Sequence, residues 1–206
     1  MAILIPQADE QSIAQTRAFT SMYLAAATLC ARMAERSDLL DAMSSLPETG
    51  RRLLQRHEAA AHELGASLTL DRFYFLGSGI RHGLACEANL KMKEMSLTHS
   101  EAFHFLEFRH GPMSMVTSET VVVGLLSEKN RTEEMAVLEE MKHLGATILT
   151  LAEADADIPF ESGVPESGRA VLYLPCLQLM AFHRSVAKGL NPDRPRYLAA
   201  AVHLDL

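Results

Sequence analysis

The sequence predicts an α/β protein built on a parallel sheet and preceded by a helical hairpin, and two patterns carry that expectation. From Arg72 onward, short β-branched and aromatic runs alternate with longer amphipathic segments, whereas before Arg72 the apolar positions recur only at helical spacing. Such alternation makes neighbouring strands parallel, because each right-handed crossover helix returns the chain to the same end of the sheet.

The hairpin comes first. Residues 10–35 and about 37–65 have helical periodicity, with Ser37 and Asp38 between them as cap residues for the second helix. The apolar stretch at 3–5 has no strand partner nearby, an odd opening for an α/β domain. Strands are then expected at 73–77 (FYFLG), 120–126 (TVVVGLL), 147–151 (TILTL) and 170–174 (AVLYL). The helices between them fall at roughly 81–96, 131–144 and 177–189. Pro192 and Pro195 close the last helix and leave an irregular tail.

Composition narrows the function classes. With 206 residues, 48% of them hydrophobic and 22% charged, the chain has enough apolar surface for one substantial core. The net charge of −7 is spread along the sequence, which disfavours a nucleic-acid or anionic membrane partner but leaves a phosphorylated ligand open. Phosphate is commonly held by local N–H and hydroxyl groups rather than by net charge. Cys30, Cys86 and Cys176 are odd in number and widely spaced, so the expectation is a reducing cytoplasm with neither a disulfide framework nor a zinc site. Cys86 is expected to be buried packing. Residues 22–33 form an apolar run interrupted by Arg32, which reads as neither a signal peptide nor a membrane span.

The densest polar feature is CEANLKMKEM at 86–95. Glu87, Lys91 and Glu94, spaced i, i+4 and i+7, share one helix face. One reading is a solvated surface with a Glu-to-Lys pair worth a few tenths of a kcal/mol. The other is an acid, a base and a cation presented together. The helix follows FYFLGSG, so charges in its first turns would line the crevice beyond the strand's carboxyl end. The Gly-Ser-Gly at 77–79 could equally be only a tight turn. Further on, His99, His104 and His110 are spaced by five and six residues, do not converge on one helix face and form no HExxH. A histidine there could instead move a proton on a sugar hydroxyl or ring oxygen, and His110, beside the Gly111-Pro112 corner, is the one whose backbone is fixed.

FLGSG (75–79), EANLKMKE (87–94), HSEAF (99–103), EFRHGP (107–112) and NPDRPRYL (191–198) together resemble the C-terminal SIS (sugar isomerase) domain in the isomerase half of glucosamine-6-phosphate synthase and of related phosphosugar isomerases and deaminases. EQSIAQTRAFT (10–20) resembles the signature near the end of that family's first SIS domain. The resemblance implies a three-layer, flavodoxin-like sheet at 66–206, with 1–65 a remnant of a preceding SIS domain and its linking helices. This would account for the helical opening and for the absence of a Ser/Thr-rich loop that in relatives holds the sugar phosphate.

The resemblance also implies roles. Glu94 matches the glutamate that moves a proton between C1 and C2 of an open-chain sugar through an enediol, Glu87 and Lys91 match charged groups that shape the site, and His110 matches a ring-opening histidine that in relatives reaches a neighbouring subunit's site. Ser78 and Gln15 are the further substrate-binding candidates, Gln15 standing where the synthase has a small hydroxyl residue. Ala200 stands where the synthase has an imine-forming lysine, so imine chemistry by that residue is not implied. The expected protein is a homodimeric aldose-ketose isomerase acting on a hexose or amino-sugar phosphate, with no cofactor or metal. The alternatives are a deaminase or deglycase, or a phosphosugar-binding module without turnover.

Overall fold

In the computed structural model, which describes residues 2–199, a 3-10 turn at Pro6–Ala8 leads into three helices, α1 (Arg17–Met33), α2 (Ser37–Met43) and α3 (Leu46–Ala66). Ala200 lies outside the described residues. The first helix starts seven residues later than its periodicity suggests. The second helical stretch is two helices, because Pro47 is tolerated only in a first turn, where its missing N–H breaks no intrahelical bond. Ser37 is the first residue of α2 rather than its cap. Asp38 pairs with Arg36 at 2.7 Å.

Five parallel strands follow: β1 (Arg72–Gly77), β2 (His99–Phe103), β3 (Thr120–Leu125), β4 (Thr147–Ala152) and β5 (Ile158–Pro159). They are crossed by α4 (Ile80–Ser96), the short α5 (Phe105–Phe108) and α6 (Arg131–His143), then followed by α7 (Glu166–Arg169) and α8 (Leu174–Ala187). The order β2-β1-β3-β4-β5 is the flavodoxin-like arrangement, with its topological switch between β1 and β3. Three of the four expected strands are present. Residues 170–174 are instead a 3-10 turn (Ala170–Tyr173) running into α8, since a five-residue apolar run reads alike for a buried strand and a buried helix. Pro175 in the first turn of α8 and the Tyr173 hydroxyl donating to the Leu126 carbonyl fix it as helical. The strands β2 and β5 escaped the sequence reading, β2 because its polar edge residues mask the alternation.

Period-two alternation makes the three layers. Phe73, Phe75, Val121 and Val123 pack with residues of α1, α2, α3, α4 and α8 in one cluster, whereas Tyr74, Leu76 and Val122 pack with α5 and α6 in the other. Burial on both faces is why β1 and β3 are nearly continuous apolar runs. Two glycines fix the entry to α4. A Cβ on Gly77 would stand 2.5 Å from the Arg81 carbonyl oxygen, and Gly79 has φ +58°, where a side chain is strained.

Candidate active site

The helix α4 runs back along the sheet, from the carboxyl ends of the strands toward their amino ends. Glu87, Lys91 and Glu94 are its eighth, twelfth and fifteenth residues, so Glu94 lies roughly 20 Å from its start at 1.5 Å per residue. The trio therefore stands in the third to fifth turns, away from the carboxyl-end crevice that the Gly-Ser-Gly entry suggests. It faces another cleft of about 380 Å³, closed on the far side by residues 10–13, Gln15, Phe19 and Met22 and bordered by Leu90 and Ala199.

Spacing on one face has become direct contact. The Lys91 ammonium sits 2.6 Å from Glu94 Oε2 and 3.6 Å from Glu87 Oε1. Lys91 is 3% exposed and Glu87 6%, while the Glu94 side chain keeps 19% of its surface in solvent. This rules out the solvated-surface reading, since a lysine so buried is retained only with its charge paired. Glu87 Oε1 receives no hydrogen bond among the described residues. Burial pushes the Glu87 carboxyl up to about 7; the Lys91 charge opposes this rise and the Glu94 charge adds to it. Two carboxyl groups sharing one cation thus sit in unlike environments, an arrangement in which one holds a proton near neutrality while its more exposed neighbour stands beside the cation.

Of the other candidates, Gln15 is exposed and lines the same cleft. Ser78 does not. It is half-buried at the opposite end of α4, beside Glu134, whose carboxyl is pushed up by burial against hydrogen bonds from Ser127 and Ser78. Around that end, Arg81 is paired with Glu166 at 2.6 Å and Arg169 with Glu128, so the switch-point crevice is occupied by the chain's own ion pairs. His110 is exposed in the turn after α5, a helix that packs on the sheet face opposite α4, and it does not line the cleft of Glu87, Lys91 and Glu94.

Two features were not anticipated. Cys86 is exposed rather than packed, and its Sγ lies 3.9 Å from both ring nitrogens of His82, one helical turn earlier, with His104 stacked on His82 at 4.1 Å. Glu10, passed over in the sequence, closes the wall of the cleft; a glutamate preceding a helix start by several residues was the available signal. Among the described residues no group of three or more His, Cys, Asp or Glu is placed to hold a metal, and no helix is long and apolar enough to cross a membrane.

Comparison with known proteins places this arrangement in context. A family model described as the SIS domain matches residues 70–182. The chain is 32% identical over 211 residues to glutamine–fructose-6-phosphate aminotransferase (isomerizing) of Aeropyrum pernix, covering 96% of this chain and 34% of that protein. It is 30% identical to the protein of the same name from Clostridium perfringens, covering 95% and 35%. It therefore spans about a third of the length of these relatives. Among solved structures, glucosamine-6-phosphate deaminase of Thermotoga maritima superposes with TM-score 0.82 at 28% identity, over 98% of this chain and 61% of that one. A structure from Clostridium novyi, described as a putative tagatose-6-phosphate ketose/aldose isomerase, shares the fold, with TM-score 0.86 at 22% identity, over 100% and 58%.

Proposed function

We propose, from the premise that this chain belongs to the SIS domain family, that it is the second SIS domain of a phosphosugar isomerase and carries that enzyme's acid/base helix. Residues 66–206 form that domain and 1–65 the end of a preceding one with its linking helices; the family match beginning at residue 70 supports this division. The single observation behind the activity is the buried Lys91 shared by Glu87 and Glu94 on the wall of an open cleft.

In this reading Glu94, the more exposed carboxylate, takes the proton from C2 of an open-chain sugar phosphate and returns it to C1. Its Oε2 lies 2.6 Å from the Lys91 ammonium at the edge of the cleft, where a carboxylate can reach a carbon-bound proton. Lys91 then stabilises the negative charge that develops on the enediol oxygens. Glu87, titrating near neutrality, keeps the cluster's net charge low enough for an anionic substrate to enter. The enzyme works as a homodimer in the cytoplasm, and His110 serves ring opening in the partner's site, consistent with its absence from the lining of its own chain's cleft. Gln15 contacts the sugar across the cleft, whereas Ser78, at the far end of α4, serves Glu134 instead.

The test is to incubate the full-length protein with hexose and hexosamine 6-phosphates in deuterated water and follow exchange at C2. Exchange with at least one sugar, lost in Glu94→Gln, is the expected result; exchange with none, or exchange unchanged in Glu94→Gln, refutes the proposal. A second reading, an amino-sugar-phosphate deaminase, is favoured by the 28% identity to a glucosamine-6-phosphate deaminase over nearly the whole chain. Ammonia release in the same assay separates the two.

A further inference from the structure

The wall opposite Glu87, Lys91 and Glu94 has no regular secondary structure of its own, yet it is held by two ties. Residues 11–15 form it, and the Ile13 N–H donates to the Asp193 carbonyl at 3.1 Å, tying it to the segment after α8. The other tie is Glu10. Its Oε1 accepts from the Arg17 N–H at 3.1 Å and the Thr16 hydroxyl at 3.0 Å, and its Oε2 accepts from the N–H groups of Thr16 at 2.9 Å and Ala18 at 2.7 Å. These backbone donors are the orphan groups at the start of α1, so one carboxylate reaches across the segment and closes it into a loop.

We infer that Glu10 is the positioning residue of this cleft: by gathering the first N–H groups of α1 it fixes residues 11–15 as a preset wall against which a sugar would be held. The distinction from ordinary helix capping lies in what the loop covers. An N-cap side chain normally serves its own helix from the adjacent position; here the carboxylate comes from six to eight residues upstream, and the intervening residues are the cleft. Charge matters as well as shape, since an amide would turn an N–H donor toward one of the N–H groups now bonded to Glu10. The bearing on turnover rests on the isomerase reading, whereas the bearing on the wall does not.

The experiment uses the titration of Glu87, which lines the same cleft across from this wall. In the 206-residue chain, Glu10→Gln is expected to speed amide exchange at Thr16, Arg17 and Ala18 at least tenfold. The carboxyl NMR midpoint of Glu87 is expected to move from about 7 toward the ordinary carboxylate range. Thr16→Val, which removes only the hydroxyl donor, is expected to leave that midpoint in place. In the full-length protein Glu10→Gln is expected to raise KM for the sugar phosphate at least fivefold with a smaller change in kcat. An unmoved Glu87 midpoint overturns the inference even if the amides exchange faster, because Glu10 would then be a helix cap only. Should Glu10→Gln fail to fold, Glu10→Asp carries the same readout through its shorter arm: a smaller fall supports the inference and no fall overturns it. Absence of any substrate refutes the isomerase reading and leaves this test standing.

Discussion

Replacing Lys91 by methionine would remove the cation between two carboxyl groups while nearly preserving the volume of the side chain. At 3.6 Å and an effective dielectric near 20, the Lys91–Glu87 attraction is about 4–5 kcal/mol, and losing one partner of a buried pair commonly costs about 3–5 kcal/mol. Less is expected here at pH 7. Glu87 already titrates near 7, so without the cation it takes up a proton at almost no cost, and Glu94 retains contact with solvent. The net loss should be about 1–3 kcal/mol at neutral pH and should grow as the pH rises. A carboxyl group whose folded pKa is raised binds its proton more tightly in the native state, so it lowers stability as pH climbs from its unfolded value through its folded one. In the native sequence that loss ends just above 7. In Lys91→Met the folded pKa is higher, and the loss continues at somewhat over 1 kcal/mol per pH unit. Urea denaturation of both proteins at pH 6, 7 and 8.5 measures the difference. A gap that stays constant across these three values would show that Glu87 and Lys91 are not coupled as described.

Three other outcomes follow from the geometry. Gly124→Ala would place a Cβ 2.6 Å from Leu138 Cδ1, so the packing of α6 on β3 must shift, and a loss of about 1–3 kcal/mol in urea denaturation is expected; no loss would mean that Leu138 moves freely. His57 and His183 have their pKa values lowered, in each case first by burial and then by a neighbouring positive or titratable group, Arg56 and His62 respectively. Their contribution to stability is full above about 6.5 and is lost as pH falls toward their folded values, so His57→Gln should flatten the decline of Tm between pH 7 and 5. Among the described residues Lys91 is the one cation lining the cleft, and it is already paired with Glu87 and Glu94, so titration calorimetry of the 206-residue chain with hexose 6-phosphates should show no binding tighter than about 1 mM. Micromolar binding would contradict that.

The central sheet was legible because β1 is an aromatic run and β3 and β4 are β-branched runs, each bounded by turn residues, and the charged trio because helical spacing is a local property. What escaped depends on tertiary contact. Residues 170–174 become helical through Pro175 and the Tyr173–Leu126 bond, neither of which an apolar run reveals. The position of Glu87, Lys91 and Glu94 along α4 could be counted, but their cleft is made by residues 10–15, more than seventy positions away. The role of Glu10 was invisible for the same reason that α1 seemed to start early: a side chain caps the helix across a loop that periodicity treats as helix. Cys86 illustrates the converse, since its i−4 neighbour His82 was in plain view and a thiol was nonetheless assigned to the core.

The two-residue strand β5 has a bearing on how this molecule behaves among copies of itself. The Phe160 N–H points inward to the Ala152 carbonyl at 2.8 Å, and successive residues of a strand point to opposite sides, so Pro159 occupies the outward position. The donor that would invite an incoming strand there is missing from the chain's own chemistry. Asp157 bonds the N–H and hydroxyl of Thr150 just before it, at 2.8 and 2.7 Å, so the neighbouring stretch of β4 is engaged as well. Sheet growth by edge-to-edge addition, the usual route from an open parallel sheet to aggregates, is therefore blocked on this side by one imide ring and one carboxylate.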